Sequence, residues 1–279
     1  MIIDCHSHAW NYWPYLPEPP DAKSRGGVEM LLHEMDTVGV DKAILVCARI
    51  DHNSDNNEYV AECVQRYPSR FIQFADVDCS WTDTYHIPGG AKRLAETVEK
   101  YRTKGFTHYL KNDINWLESK EGLKFFDKAA ELNQIASLAL NPSWMPSLRK
   151  LALQFPTIPF MCHHMAGLTA DEPLPKPMLK EVIKSSEITN IYIKLSGFQY
   201  VSNNYWEYPY TDCNSVVHQL FKNFGPRRLC WASNYPPVSL ATTYRQSLEA
   251  VRKHCASFIG ENMDLILGGN MERLLQNAG

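Results

Sequence analysis

Ile2-Ile3-Asp4-Cys5-His6-Ser7-His8, residues 2–8, is the stretch on which the fold turns. The β-branched pair Ile2-Ile3 favours a strand. In a strand, residues two apart face the same side. His6 and His8 therefore converge, and two convergent imidazoles form half of a divalent-metal site; the alternative is a pair of unrelated core or surface histidines. The residues just beyond the stretch matter equally. No glycine-rich phosphate turn comes after it, which disfavours a doubly wound nucleotide-binding sheet. A Pro-rich loop over residues 14–27 comes instead, long enough to mark a functional loop or lid. A helical repeat over 28–38 then ends at Gly39.

From there, short apolar runs alternate with amphipathic ones. The pattern predicts strands at 43–47, 71–75, 107–111, 135–140, 158–164, 191–195 and 228–233. Helices are predicted at 55–66, 90–103, 121–132, 145–154, 176–185, 212–223 and 242–257. Strict alternation implies an α/β protein with a parallel sheet. Eight strand–helix units within 279 residues imply a (β/α)8 TIM barrel, one domain spanning 1–279. The chemistry of such barrels sits at the C-terminal strand ends. Those ends carry His6 and His8, Arg49, Asp76 and Asp78, Lys111 to Asp113, Asn141, His163 and His164, Lys194 and Ser196, and Ser233 and Asn234.

Composition narrows the partners. A formal net charge of -3 and the lack of a basic stripe argue against nucleic acid. No apolar run reaches membrane-spanning length, and no charged segment followed by an apolar one marks a signal peptide. The eight cysteines are scattered, with no C-x-x-C, and read as free thiols of a cytoplasmic protein. The expected partner is a small-molecule substrate, with homo-oligomerisation left open. Trp10, Tyr12, Trp13 and Tyr15 cluster after the first strand, as residues lining a sugar- or ring-binding cleft do, or as packing for the loop.

His163-His164 is the second histidine pair. Neighbours in a strand face opposite sides, so one of the two is expected to face the barrel centre. With His6 and His8 it completes a three-imidazole site with an open position, as a hydrolytic zinc needs.

Four stretches, and a fifth shorter one, resemble the amidohydrolase superfamily, in the branch of TIM-barrel hydrolases that includes sugar-acid lactonases. Residues 3–8 resemble its opening I-D-x-H-x-H. Residues 160–167, FMCHHMAG, resemble an apolar strand ending in D-H-x-G. Residues 191–197, IYIKLSG, match its K-L-S-G strand. Residues 224–236, FGPRRLCWASNYP, resemble F-G-x-x-R-x-x-W-G-S-D-x-P, and Gly268-Gly269-Asn270 resembles a G-G-N before the terminal helix. The resemblance implies one divalent ion, Zn²⁺ foremost, on His6, His8, His164 and position 234. In a metal-free form the imidazoles would polarise the carbonyl directly. It also implies that His164 and position 234 are catalytic. Arg49, Lys111, Asn112, Trp10, His163 and Tyr235 would bind substrate. A carbamylated Lys111 bridging a second metal is disfavoured, because no predicted strand supplies a further inward histidine. Lys194 reads as a buried lysine paired with an acid.

One position departs from the family. Its last-strand aspartate, the general acid/base, is Asn234 here. An amide does not accept a proton at neutral pH. Either the chain carries an Asp→Asn change that inactivates it and traps ligand, or Asn234 is natural and the protein has moved toward binding or another reaction. The expected activity is opening of a small lactone or other cyclic ester. Non-oxidative decarboxylation of a small unsaturated or aromatic acid is the alternative, and a catalytically silent small-molecule binding protein is a third reading.

Overall fold

The computed structural model describes residues 1–111, 113–256 and 262–279. Eight strands lie in chain order: β1 (Ile3–Ser7), β2 (Lys42–Val46), β3 (Phe71–Asp76), β4 (Gly105–Tyr109), β5 (Ile135–Ala139), β6 (Phe160–Cys162), β7 (Ile191–Leu195) and β8 (Leu229–Trp231). Each pairs in parallel with the next. The ring closes at its C-terminal end. Ser7 bridges Tyr235, the Asn234 amide donates to the His6 carbonyl at 2.8 Å, and the His8 amide donates to the Tyr235 carbonyl. This is the (β/α)8 barrel that the alternation predicts.

Two apolar clusters hold it together. Ile3, Cys5, Ile44, Val46, Phe74, Ile135, Met161 and Cys230 fill the barrel interior. Met271 and Leu274 join them from the final helix, Asn270–Asn277, which plugs the end opposite the chemistry. The larger cluster lies between the strands and the outer helices. Leu31 and Met35 from one helix, and Phe125 and Phe126 from another, pack there against the outward residues of the sheet.

β4 starts at Gly105, two residues before the predicted strand. Gly105, which the sequence pattern leaves between helix and strand, lies in the sheet. A Cβ there would sit 2.7 Å from the Ile135 carbonyl and 2.8 Å from the Phe74 ring, so only glycine admits this approach. β8 stops at Trp231 because the chain turns beneath β1, where the Ser233 amide and hydroxyl both bond the Asp4 carboxylate. The loop over 14–27 contains a short helix, Ala22–Arg25, and covers the buried Trp10 and Trp13. All eight cysteines are free and buried. No helix among the described residues is long and apolar enough to cross a membrane.

Candidate active site

Four imidazoles and one lysine meet at the C-terminal end of the barrel. Strict pleating would not bring them there. Ile3 and Cys5 lie in the interior cluster, so alternation would send His6 outward. β1 carries a bulge, however. The pairing runs Asp4 to Ala43 and Ser7 to Leu45, so three steps on β1 match two on β2. The extra residue changes the phase. His6 reaches the barrel centre, and Asp4 is left facing the helix side, where Tyr244 also bonds it.

A second break comes after β6. That strand ends at Cys162; His163 stays extended, and His164, Met165 and Ala166 take positive φ of 44°, 52° and 58°. Alternation stops there, and both histidines face the site. The expectation that only one of them does is thereby corrected. The His6 ring centroid lies 4.3 Å from that of His163 and 5.0 Å from that of His164. Gly197, at φ 64°, makes room: its Cβ would lie 3.0 Å from the His164 side chain.

Each ring is held from behind. His8 Nδ1 is 2.6 Å from the Val46 carbonyl, which fixes the proton on Nδ1 and leaves the Nε2 lone pair free. Trp10 stacks on His8 at 4.8 Å and bonds the Ala48 carbonyl. His163 Nε2 is 2.7 Å from the Ser137 hydroxyl, and His164 Nδ1 is 2.9 Å from the Ser196 hydroxyl. Lys194 is fully buried, with Nζ 3.1 Å from His6 Nδ1 and 2.7 Å from Ser137 Oγ. Its partners are an imidazole and a hydroxyl, not the acid expected from the sequence.

Burial dominates the electrostatics. It pushes His8 down to about 4 and His164 to about 3, and Lys194 adds to both shifts. Burial and the Lys194 charge also hold His6 and His163 well below the usual imidazole range. All four rings are therefore neutral near pH 7. Burial lowers Lys194 to about 8, partly offset by Cys5, Cys230 and Asp4.

The donor set suits a divalent ion. His6 Nε2 and His8 Nε2 are 3.1 Å apart, close to the separation of two donors that each lie about 2.0–2.1 Å from one zinc. Ring nitrogens of His6, His163 and His164 also lie within 4.8 Å of one another. A family model described as amidohydrolase matches residues 3–276. The chain belongs to the amidohydrolase family. Similar solved structures include a protein described as a probable 2-pyrone-4,6-dicarboxylic acid hydrolase from Acinetobacter baumannii, with citric acid bound (19% identity, TM-score 0.77, 99% of each chain). A Burkholderia multivorans amidohydrolase with bound zinc has 17% identity, TM-score 0.79 and 99% coverage of each chain. The 5-carboxyvanillate decarboxylase of Sphingomonas paucimobilis has 14% identity, TM-score 0.69 and 99% coverage of each chain.

In this amidohydrolase the other candidate residues divide into two groups. Asn234, at φ 60°, touches His8 and donates from Nδ2 to the Tyr200 hydroxyl at 3.2 Å. Tyr200 in turn lies edge-on to His164. Tyr235 points away: its ring packs against Tyr244 in the outer core. Arg49 is exposed, with Nε on the Ser54 carbonyl, and it lines a separate cleft with Asp76, Asp78 and Arg93. Lys111 is exposed, and Asn112 lies outside the described residues. Ser137, Tyr109 and Tyr200 belong to the site, although no sequence motif marks them. Ser137 had a signal, since it lies two residues after Ile135, which faces the interior. Outside this cluster, His86 and His108 bond each other at 3.2 Å.

Proposed function

We propose that this amidohydrolase opens the C–O ester bond of a small oxygenated ring, a sugar-acid lactone foremost. His6, His8 and His164 would hold one divalent ion, Zn²⁺. The observation that carries the reading is the convergence of neutral imidazoles, buried or, for His164, half-buried, each with an outer partner, at the barrel end where such enzymes react. The ion would supply a Lewis acid that polarises a carbonyl and brings water to a pKa of about 7. The chain's own residues do the rest. His164, anchored at Nδ1 by Ser196, keeps Nε2 open toward the site. Tyr200 contacts both Asn234 and His164 and holds them side by side.

Position 234 is read as the general acid/base in amide form. Its left-handed backbone suits Asn and Asp alike, and its contacts with His8 and Tyr200 suit either side chain. The amide accepts no proton, so this chain is expected to be slow until the carboxylate is restored. The test is Asn234→Asp on a lactone panel, and no hydrolysis by the folded, zinc-loaded variant overturns the reading for that panel. Likeness to decarboxylase barrels supports a second reading, and Asn234 permits a third. A decarboxylase would release CO₂ without the proton that lactone opening yields. A binding protein would stay inert after the reversion.

A further inference from the structure

We propose that His163 is a fixed hydrogen-bond donor, through Nδ1–H, to an acceptor oxygen of the bound molecule, and that Lys194 and Ser137 are the positioning residues that place this proton. Lone pairs and protons along one chain of contacts decide the matter. Lys194 Nζ lies 2.7 Å from Ser137 Oγ and 3.1 Å from His6 Nδ1; Ser137 Oγ lies 2.7 Å from His163 Nε2. All four residues are at most 2% exposed, so bulk water does not reach them.

A serine hydroxyl has one proton to donate. As an ammonium, Lys194 has no lone pair and donates to Ser137. The Ser137 proton then goes to His163 Nε2, and a neutral His163 carries its own proton on Nδ1. As a neutral amine, Lys194 has a single lone pair. If His6 offers its Nε2 lone pair to an ion, its proton is on Nδ1 and occupies that lone pair. Ser137 again donates to His163, with the same result. The reverse arrangement requires a neutral Lys194 that accepts from Ser137 and a His6 protonated on Nε2, which removes His6 from any ion. His6 and His163 therefore do not serve together as ligands, although their nitrogens are close enough to suggest it.

His163 Nδ1 is also a buried polar atom with no partner. Such an N–H costs free energy unless something accepts it. It sits within the imidazole cluster, beside the ring of Tyr109, whose centroid is 5.2 Å from that of His163. A donor aimed at a reacting centre stabilises negative charge developing on oxygen. The family motif carries an acid at position 163, so this donor belongs to this chain's own residues. The inference rests on the cluster being the reacting centre, but its test does not depend on turnover.

The first arm is long-range ¹H–¹⁵N spectroscopy of histidine-labelled protein, with and without zinc. His163 is assigned by difference against His163→Asn. The expected tautomer is Nδ1–H in the zinc-loaded protein, where His6 offers Nε2 to the ion, and Ser137→Ala should shift it toward a mixture. The second arm is zinc titration. His163→Asn should bind one zinc within about 3-fold of wild type, whereas His6→Asn should lose at least about 10-fold, the lower end of the cost of disturbing a ligand's environment. The third arm is citrate binding to zinc-loaded protein. His163→Leu should weaken it at least about 10-fold; His163→Asn, whose amide places an N–H near the Nδ1 position, should restore it to within about 3-fold. An Nε2–H tautomer in the zinc-loaded protein, or zinc loss in His163→Asn, overturns the assignment of the proton. Citrate that fails to bind wild type, or binds His163→Leu equally, overturns the donor role. Failure of the lactone panel alone leaves all three arms standing.

Discussion

Restoring a carboxylate at position 234 is the sharpest perturbation of this site. Asn234→Asp exchanges one heavy atom of equal size, and the backbone at φ 60° tolerates both residues, so the fold should be unchanged. The new oxygen accepts from the Tyr200 hydroxyl in place of the present Nδ2 donation at 3.2 Å. A positioned general base contributes about 10²–10⁴-fold, equivalent to about 2.7–5.5 kcal/mol of barrier. The gain should appear in kcat, since the carboxylate acts on the reacting water rather than on the resting substrate. The pH profile should move as well. His8 stands at about 4, mainly through burial. An opposite charge in contact raises an imidazole by about 1–3 units, bringing His8 to about 5–7. Activity should therefore fall on the acid side as His8 takes a proton and is lost to the ion. The assay is proton release from aldono-1,4- and 1,5-lactones between pH 5 and 9, using zinc-loaded protein checked for folding by circular dichroism. A gain below about 10-fold on every member refutes the assignment of position 234 as the acid/base.

The buried charges lead to three more expected outcomes. Zinc uptake at pH 7 should release protons, because the imidazoles are already neutral while Lys194, lowered to about 8, must lose its charge beside a dication and the bound water is acidified; calorimetry in buffers of different ionisation heat reads this, and zero release contradicts it. Lys194→Met should leave the melting temperature unchanged or raise it. The folded-state value lies below the unfolded one, so the charged lysine opposes folding below pH 8 by about 3 kcal/mol, and stability returns as pH rises from 8 to 10.5. Finally, the metal-free protein should weaken in acid. His8 and His164 fold with values of about 4 and 3 against an unfolded 6.5, so their stability is complete above pH 6.5 and drains as pH falls toward 4. Asp4, raised to about 6 by burial, works in the opposite sense between pH 4 and 6, with the smaller shift. Urea denaturation at pH 5 and 7 measures the difference.

The barrel was legible because each strand's apolar run is bounded by turn or helix signals, and eight such units leave little topological choice. Side-chain direction was less legible. The sequence puts His6 and His8 on one face, and so does the structure. Yet Cys5, buried in the interior, also precedes His6 directly, and no residue in the stretch announces the bulge that reconciles the two. Lys194 was visible as a buried lysine, but its partner was not. An imidazole on β1 and a hydroxyl on β5 lie 188 and 57 residues away in sequence, so the contact is set by ring closure rather than by any local pattern. Tyr235 shows the same limit in reverse: adjacency to Asn234 suggests the pocket, whereas the left-handed turn at 234 carries its ring into the outer core.

Both departures from regular pleating fall where the chemistry is. The bulge in β1 brings His6 inward beside His8, and the left-handed run after β6 brings His164 inward beside His163. Left-handed backbone in non-glycine residues costs about 1–2 kcal/mol each, and three such residues stand in succession. The surroundings oppose relaxation: Ser196 holds His164, the Ala166 amide bonds the His163 carbonyl at 2.8 Å, and Met165 and Ala166 are fully buried in the outer core. A regular strand through 164 would direct one imidazole into the apolar layer behind the sheet, where its nitrogens would lose the Ser196 partner. Regular pairing of β1 would do the same to His6 and would leave Lys194 buried with one fewer partner. The irregular backbone is thus what permits four uncharged imidazoles and a lysine to share one small volume, each with a hydrogen-bond partner behind it.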